Sequence, residues 1–288
     1  MTAGPVEAEL VERREVLPGQ RIDAFHAPEI AVGARAGQLV ALLITDDEGL
    51  TTRRTCPINT ADAASGVVTV HLQDRDRRSG PEAHLRPGDR VVLAGPLGRP
   101  FELDPRSRHL LLVAVGPAIA GVRMLADEAI RDGRQVTVLF GAPSAREVYP
   151  STLLPDEVEY VVATEDGSLG HPGSVVDLVP EFEAWADQAF ASGPRPLLGT
   201  LAGLAAGRRG RMGVAKLGRK RGAGKVDPPG SPAARRKAYL QVAVPMDLGC
   251  AAATCLGCVV EGAGGGLLRV CREGPVFAAE ELDWEPRG

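Results

Sequence analysis

The chain has 288 residues, 44% hydrophobic but only 4% aromatic, 24% charged, with a formal net charge of −4. That length suffices for two ordinary domains and a small third one, and 35 glycines with 23 prolines imply many turns. No apolar run approaches the ~18 residues of a membrane span, and the first sixteen residues lack both the basic and the apolar region of a secretory signal, so the expectation is a cytoplasmic protein whose thiols stay reduced.

In chain order, residues 5–104 carry alternating apolar segments at 6–16, 22–27, 38–45, 66–74 and 89–98, separated by turn clusters. Short strands at this spacing predict a closed antiparallel barrel. From residue 109 the pattern changes to strand, turn and helix: strands over 109–115, 135–142, 158–167 and 188–193, helices over 120–133 and 175–186. That alternation predicts a parallel sheet with crossover helices, whose ligands sit at strand carboxyl ends, here Ala114–Ala118, Gly141–Ala142, Thr164–Gly170 and Ser192–Pro194. Residues 206–238 hold eleven Lys/Arg against the single acid Asp227, which leaves −14 on the rest. This stretch is rich in Gly, Pro and Ser without apolar periodicity, and it reads as a basic flexible linker in preference to a nucleic-acid arm or a contact for an acidic protein.

Beyond a strand at 239–245, four of the five cysteines fall in one short stretch: Cys250, Cys255, Cys258 and Cys271, spaced C-x4-C-x2-C-x12-C. The first three repeat the C-x4-C-x2-C run of plant-type [2Fe–2S] ferredoxins, whose fourth thiolate arrives from a later segment. Gly249, Ala251, Ala252, Ala253, Thr254 and Gly257 are small enough for backbone amides to approach inorganic sulfide. Structural zinc usually uses paired knuckles, and only Cys255 and Cys258 form one, so zinc and unliganded or disulfide thiols are the lesser readings. Cys56 lies apart and reads as a buried thiol. His171, in GSLGHPG, reads as a surface loop residue; Trp185 and Trp284 read as packing.

The order of these parts, with RRTCPI at 53–58, RPGDRVVLAGPLGRPF at 86–101, TEDGSLGHPGSVVDL at 164–178, DQAFASGP at 187–194, and CLGCVV with VCREGPVFAAEEL within 255–282, resembles the iron–sulfur electron-transfer subunit of class 1B dihydroorotate dehydrogenase, in the ferredoxin-reductase superfamily. The resemblance implies a multidomain β plus α/β fold: an FAD-binding β-barrel over 1–105, an NAD-binding α/β domain over 106–205, the basic linker 206–238, and a [2Fe–2S] domain over 239–288. It implies cluster ligation by Cys250, Cys255, Cys258 and Cys271. FAD would meet Arg54, Thr55, Cys56 and Pro57, then His71, Leu72 and Gln73, then Arg78 and Ser79, with Arg54 gripping the pyrophosphate as a forked donor. The sequence departs from the family where a flavin-contacting serine is Pro57 and a Gly-Thr pair is Arg78–Ser79.

NAD would meet Gly116, Thr164, Ser192, Gly193 and Pro194. Where the family carries a glycine-rich run, this chain has Ala114-Val115-Gly116-Pro117-Ala118, and Pro117 removes one amide donor. A family cysteine is Ser192. The implied function is electron transfer in pyrimidine biosynthesis, from a partner FMN-containing dihydroorotate dehydrogenase through [2Fe–2S] and FAD to NAD+, in a heterotetramer and with no catalytic side chain, since flavin chemistry needs no protein proton donor. The alternatives are an electron-transfer subunit of another flavoenzyme or hydrogenase-type complex with a different acceptor, and a non-enzymatic cluster-bearing module without FAD or NAD.

Overall fold

A computed structural model of the chain describes residues 4–45, 49, 51–73, 81–217, 237–246, 250 and 254–284. Six strands close an antiparallel barrel: β1 (Pro5–Leu17), β2 (Gln20–His26), β3 (Leu39–Thr45), β4 (Thr51–Asp62), β5 (Val67–Gln73) and β6 (Arg90–Leu97), in the order β1-β2-β5-β4-β3-β6. A one-turn helix α1 (Pro28–Ala31) follows β2. Alternate residues fill the barrel, among them Leu10, Phe25, Val40, Leu42, Cys56, Ile58, Val68, Val70, Leu72 and Leu93. Cys56 is a buried thiol, as expected.

Strand β4 is where the sequence suggested a turn rather than a barrel strand. Arg53, Arg54 and Pro57 interrupt its apolar alternation, yet Leu39 pairs with Pro57 and Ile58 with Val70. Proline is tolerated here beside a register shift between Ile58 and Thr60, where the ladder is already irregular.

The second layer is a seven-stranded sheet. Its strands are β7 (His109–Val115), β8 (Gln135–Ala142), β9 (Glu159–Thr164), β10 (His171–Pro172), β11 (Gln188–Ser192), β12 (Leu240–Ala243) and β15 (Val276–Ala278), in the order β10-β9-β8-β7-β11-β12-β15. The crossover helices are α2 (Ala120–Arg131) and α3 (Val175–Glu183), and α4 (Arg195–Leu217) follows β11. Ser174 caps α3, accepting from the Val176 amide at 3.2 Å while the Asp177 carboxylate accepts from the Ser174 amide at 3.1 Å. The small antiparallel pair β13 (Val259–Glu261) and β14 (Leu267–Arg269) lies between β12 and β15.

Two boundaries shift. The segment expected to open the cluster domain is strand β12, parallel to β11, and β15 then adds antiparallel to β12. The cluster region is thus an insertion between two strands of the central sheet. The expected linker also begins later: α4 carries helical structure through residues 206–217, and residues 218–236 lie outside the described ones. Buried Leu198, Leu201 and Ala205 at helical spacing seat α4 on the sheet. Arg208, assigned to the linker, donates from Nη1 to the Ala186 carbonyl at 3.0 Å and lies 4.0 Å over the Tyr239 ring.

A polar clamp joins the barrel's exit to the sheet. Gln188 accepts from the Asp104 amide (2.9 Å) and donates to the Glu102 carbonyl (3.0 Å); Gln241 accepts from the Glu102 amide (2.9 Å). Beside it Phe101 meets Phe190 edge-on, centroids 5.3 Å apart, burying aromatic surface whose removal from water stabilises by about 2 kcal/mol per ring. Among the described residues no helix is long and apolar enough to cross a membrane.

Candidate cofactor sites and cluster loop

Arg54 sits at the mouth of the barrel, ion-paired to the buried Glu82 through Nη1 and donating from Nη2 to the Gln73 carbonyl at 2.5 Å. The same corner holds Arg13, whose Nε and Nη2 fork onto the fully buried Asp23 at 2.8 and 2.7 Å, and Arg21, 3.5 Å from Asp23. Arg13, Arg21 and Arg54 thus gather around Asp23 and Glu82, with Glu15 paired beside Arg21. The fork of Arg54 retains further N–H donors beyond its two partners, the arrangement a pyrophosphate requires.

Cys56 and Leu72 point into the barrel core, so only their backbone faces outward. Pro57 and His71 lie on the outer face, one residue beyond the Ile58–Val70 pair on neighbouring strands. His71 is 5% exposed, its ring centroid 5.7 Å from Tyr149, and neither ring nitrogen has a hydrogen-bond partner. The Tyr149 hydroxyl and Asn59 Oδ1 are likewise buried without a hydrogen-bond partner. Buried polar atoms are nearly always satisfied, and these face the side where the α/β domain meets the barrel. Together with the Arg54 mouth they fit a polar, planar cofactor against β4 and β5. Tyr149 and Asn59 escaped the sequence reading, because neither carries a motif and Tyr149 arrives from the loop after β8. Arg78 and Ser79 lie outside the described residues.

Burial pushes His71 down to about 4. Unfolded, an imidazole takes up its proton near pH 6.5. The folded state therefore binds fewer protons between pH 6.5 and 4, so stability is full above pH 6.5, declines as pH falls through this window, and is flat with respect to His71 below about 4. The expected loss is about 3 kcal/mol. Urea unfolding at pH 7 and pH 4.5 measures it, and His71→Leu should remove most of that difference.

On the sheet, β8 and β9 lie to one side of β7 and β11 to the other, so the strand order reverses at the carboxyl ends of β7 and β11. Ser192 pairs with Ala114 there, which brings Gly116 and Ser192-Gly193-Pro194 to the same end of the sheet, where doubly wound folds bind their ligands. Gly116, at φ +51, begins the turn into α2 with open space before its Cα. Gly121 lets α2 approach β11: a Cβ there would lie 2.9 Å from the Ser192 Cβ. This is the close helix–strand packing role of a dinucleotide fingerprint's last glycine, and the sequence reading had missed it.

Thr164 is fully buried, its hydroxyl donating to the Leu169 carbonyl (2.8 Å) and accepting from the Leu169 amide (3.0 Å). It shapes the TEDGSLG turn rather than presenting a side chain to a ligand. His171 is half-buried in β10 instead of in a surface loop. Trp284 packs on Gly199 and donates from Nε1 to the Ala279 carbonyl at 2.8 Å, a packing role, and the Trp185 ring lies tilted against His109, centroids 4.9 Å apart.

No disulfide links the five cysteines. The Cys250 sulfur accepts from the amides of Thr254 and Cys255, both at 3.4 Å, and the Cys255 sulfur from the Gly257 amide at 3.3 Å. Leu256, at φ +53, turns the chain between Cys255 and Cys258. Cys258 and Cys271 are buried, and the Val270 amide donates to the Cys258 carbonyl at 2.7 Å, tying the third cysteine to the segment of the fourth. Among the described residues no three His, Cys, Asp or Glu side chains converge on one ion position. In a [2Fe–2S] cluster four thiolates are shared between two irons, and backbone amides donate to the sulfurs. Sulfurs fed by backbone amides on a loop with one exposed edge fit that cluster. Gly249 and Ala251–Ala253 lie outside the described residues.

Residues 247–283 match the family model of the iron–sulfur cluster binding domain of dihydroorotate dehydrogenase B. The whole chain is 28% identical over 276 residues to the dihydroorotate dehydrogenase B (NAD(+)) electron transfer subunit of Desulforamulus reducens, covering 94% of this chain and 95% of that one. It is 26% identical over 280 residues to the same subunit of Bacillus caldolyticus, covering 93% and 97%. Among solved structures, a chain from NADH-dependent reduced ferredoxin-NADP oxidoreductase superposes with a TM-score of 0.75 at 20% identity, covering 99% of this chain and 91% of that one. The ferredoxin reductase of carbazole 1,9a-dioxygenase gives 0.61 at 18%, over 71% and 65%. The barrel, sheet and C-terminal cluster region thus form a ferredoxin-reductase-like fold, and the resemblance runs nearly end to end.

Proposed function

We propose that this chain is the electron-transfer subunit of a dihydroorotate dehydrogenase of the B type, carrying [2Fe–2S] and FAD and exchanging electrons with NAD+. The observation that carries this reading is the four-cysteine loop inserted between β12 and β15 of a ferredoxin-reductase-like fold, within a resemblance covering 94% of the chain. FAD, when bound, supplies the exchange between two-electron hydride transfer and one-electron transfer. The chain's own residues bind and orient. Arg54 holds the pyrophosphate; Pro57, His71 and the β4–β5 face hold the ring; Gly116 and Ser192–Pro194 receive the dinucleotide at the sheet's switch point. Cys250, Cys255, Cys258 and Cys271 hold the cluster.

The subunit does not itself oxidise dihydroorotate, so a catalytic partner with FMN completes the reaction, in a heterotetramer. Leu256 and Leu267, 61% and 67% exposed, flank the cluster loop and give this partner an apolar contact beside the exposed Cys255 edge. The test is an anaerobic visible spectrum of the purified chain, with iron, sulfide and released flavin quantified, before and after NADH. FAD with two irons per chain and bleaching by NADH are expected. A cluster without flavin, or flavin that NADH leaves oxidised, overturns the nicotinamide-linked reading.

A further inference from the structure

The loop leaving the barrel, Gly98-Arg99-Pro100-Phe101, and the segment after the fourth cysteine, Gly274-Pro275-Val276-Phe277, are bound to one another. The Arg99 amide donates to the Gly274 carbonyl, and Arg99 forms a parallel bridge with Pro275. Its guanidinium donates from Nε to the Val276 carbonyl at 2.9 Å, forks onto the Glu281 carboxylate, and lies 5.7 Å from the centroid of the buried Phe277 ring. Gly98 abuts Pro275 so closely that a Cβ would collide with that ring, and a Cβ on Gly37 would lie 2.6 Å from Val276. The fit leaves no room for a sliding contact.

This clasp joins the cluster segment to the flavin face by a short route. Leu39 on β3 pairs with Pro57 on one side and Leu97 on the other, so the flavin-facing strand and the strand that ends in the clasp share one row. Gln38 reinforces the row, donating from Nε2 to the Gly98 carbonyl at 2.8 Å while its own carbonyl accepts from the Ile58 amide at 2.9 Å. On the other side Gly274 is three residues from Cys271, and the Gly274 amide donates to the Arg269 carbonyl at 3.2 Å. Leu39 and Leu97 belong to the same apolar core as Cys258, Val270, Cys271 and Phe277.

We infer that Arg99, with Glu281, is a positioning residue that fixes the cluster loop against the barrel and thereby sets the rate at which electrons pass between flavin and cluster. This rests on the reading of the chain as a flavin and [2Fe–2S] protein. Arg99 meets this role through its fork: it spans a carbonyl, a carboxylate and an aromatic face at once, which the point charge of lysine cannot do. The step it governs is the movement of one electron out of reduced flavin, oxidising it, into the oxidised cluster; NADH, oxidised to NAD+, is the reductant.

The experiment uses the full-length holoprotein and the variants Arg99→Ala, Arg99→Lys and Glu281→Gln in anaerobic stopped flow with NADH, following flavin and cluster absorption separately, with iron and flavin content measured for each. The expected result is flavin reduction within about twofold of wild type, with cluster reduction slowed roughly tenfold or more in Arg99→Ala, since small displacements of a reacting pair carry penalties of this order. Glu281→Gln and Arg99→Lys should fall in between, at unchanged iron content. Unchanged cluster reduction in Arg99→Ala overturns the inference, and so does a parallel loss of iron in Arg99→Ala and Glu281→Gln, which would make the clasp a fold element only. Wild-type protein that lacks NADH-reducible flavin is the failure of the functional reading instead. The clasp is then read with a chemical one-electron reductant, from the midpoint potential and EPR line shape of the cluster, and identical values in Arg99→Ala and wild type overturn it there.

Discussion

Cys258→Ser is expected to take the iron content of the purified chain from two per chain to none while leaving flavin bound. The thiol is 2% exposed and sits in the core between the barrel and the sheet, and its carbonyl accepts from the Val270 amide of the fourth cysteine's segment. Serine keeps the shape but does not ionise to a soft anion, and a cluster that depends on four thiolates loses one of its irons' two ligands. Burying a hydroxyl in place of a thiol adds a penalty of about 1–3 kcal/mol. The sheet itself should survive, because β12 and β15 pair with each other on either side of the insertion through Gln241–Ala278, Val242–Phe277 and Ala243–Val276. The visible spectrum should therefore become that of flavin alone, still bleached by NADH. Cys56→Ser is the control: its thiol is equally buried but lies in the barrel core, so it should cost stability of the same order and no iron. Iron retained in Cys258→Ser, or lost in Cys56→Ser, would refute the ligand assignment.

The cysteine spacing was legible because ligand geometry is local: three of the four thiolates come from nine consecutive residues. The barrel and the parallel sheet were legible for a related reason, since alternation along β1, β2, β3, β5 and β6 and the strand–helix rhythm from residue 109 are repeated signals. Strand β4 was not, because two arginines and Pro57 break its pattern and only its neighbours β3 and β5 define it. Nor was the membership of β12 and β15 in the central sheet. Strands of four and three residues, with 32 residues between them, carry too little periodicity to reveal their pairing. Helix α4 was hidden by its glycines and basic residues, which read as linker composition although Leu198, Leu201 and Ala205 mark a buried face. What the sequence hid most completely were partnerships across distance: Arg54 with Glu82, 28 residues on, and Arg99 with Glu281, 182 residues on. A charge far along the chain gives no signal until the fold brings it back.

The Arg54–Glu82 pair makes the second large prediction. Arg54→Ala should lower stability by about 3 kcal/mol, because it leaves a carboxylate that is only 3% exposed without its cation, and losing one partner of a buried pair costs far more than the pair contributes. The same substitution should release flavin on gel filtration, since it removes the fork assigned to the pyrophosphate. One variant cannot separate these effects, because a protein that is partly unfolded also loses its cofactor. Arg54→Ala combined with Glu82→Gln does so. Neutralising Glu82 removes the unpaired charge, and the backbone there stays anchored because the Glu82 carbonyl accepts from Arg13 Nη2 at 2.8 Å and from Arg21 Nη2 at 3.3 Å. The double variant should regain most of the urea midpoint lost in Arg54→Ala and remain flavin-poor. If flavin content returns together with stability, Arg54 serves the barrel mouth alone and the pyrophosphate is held by other donors.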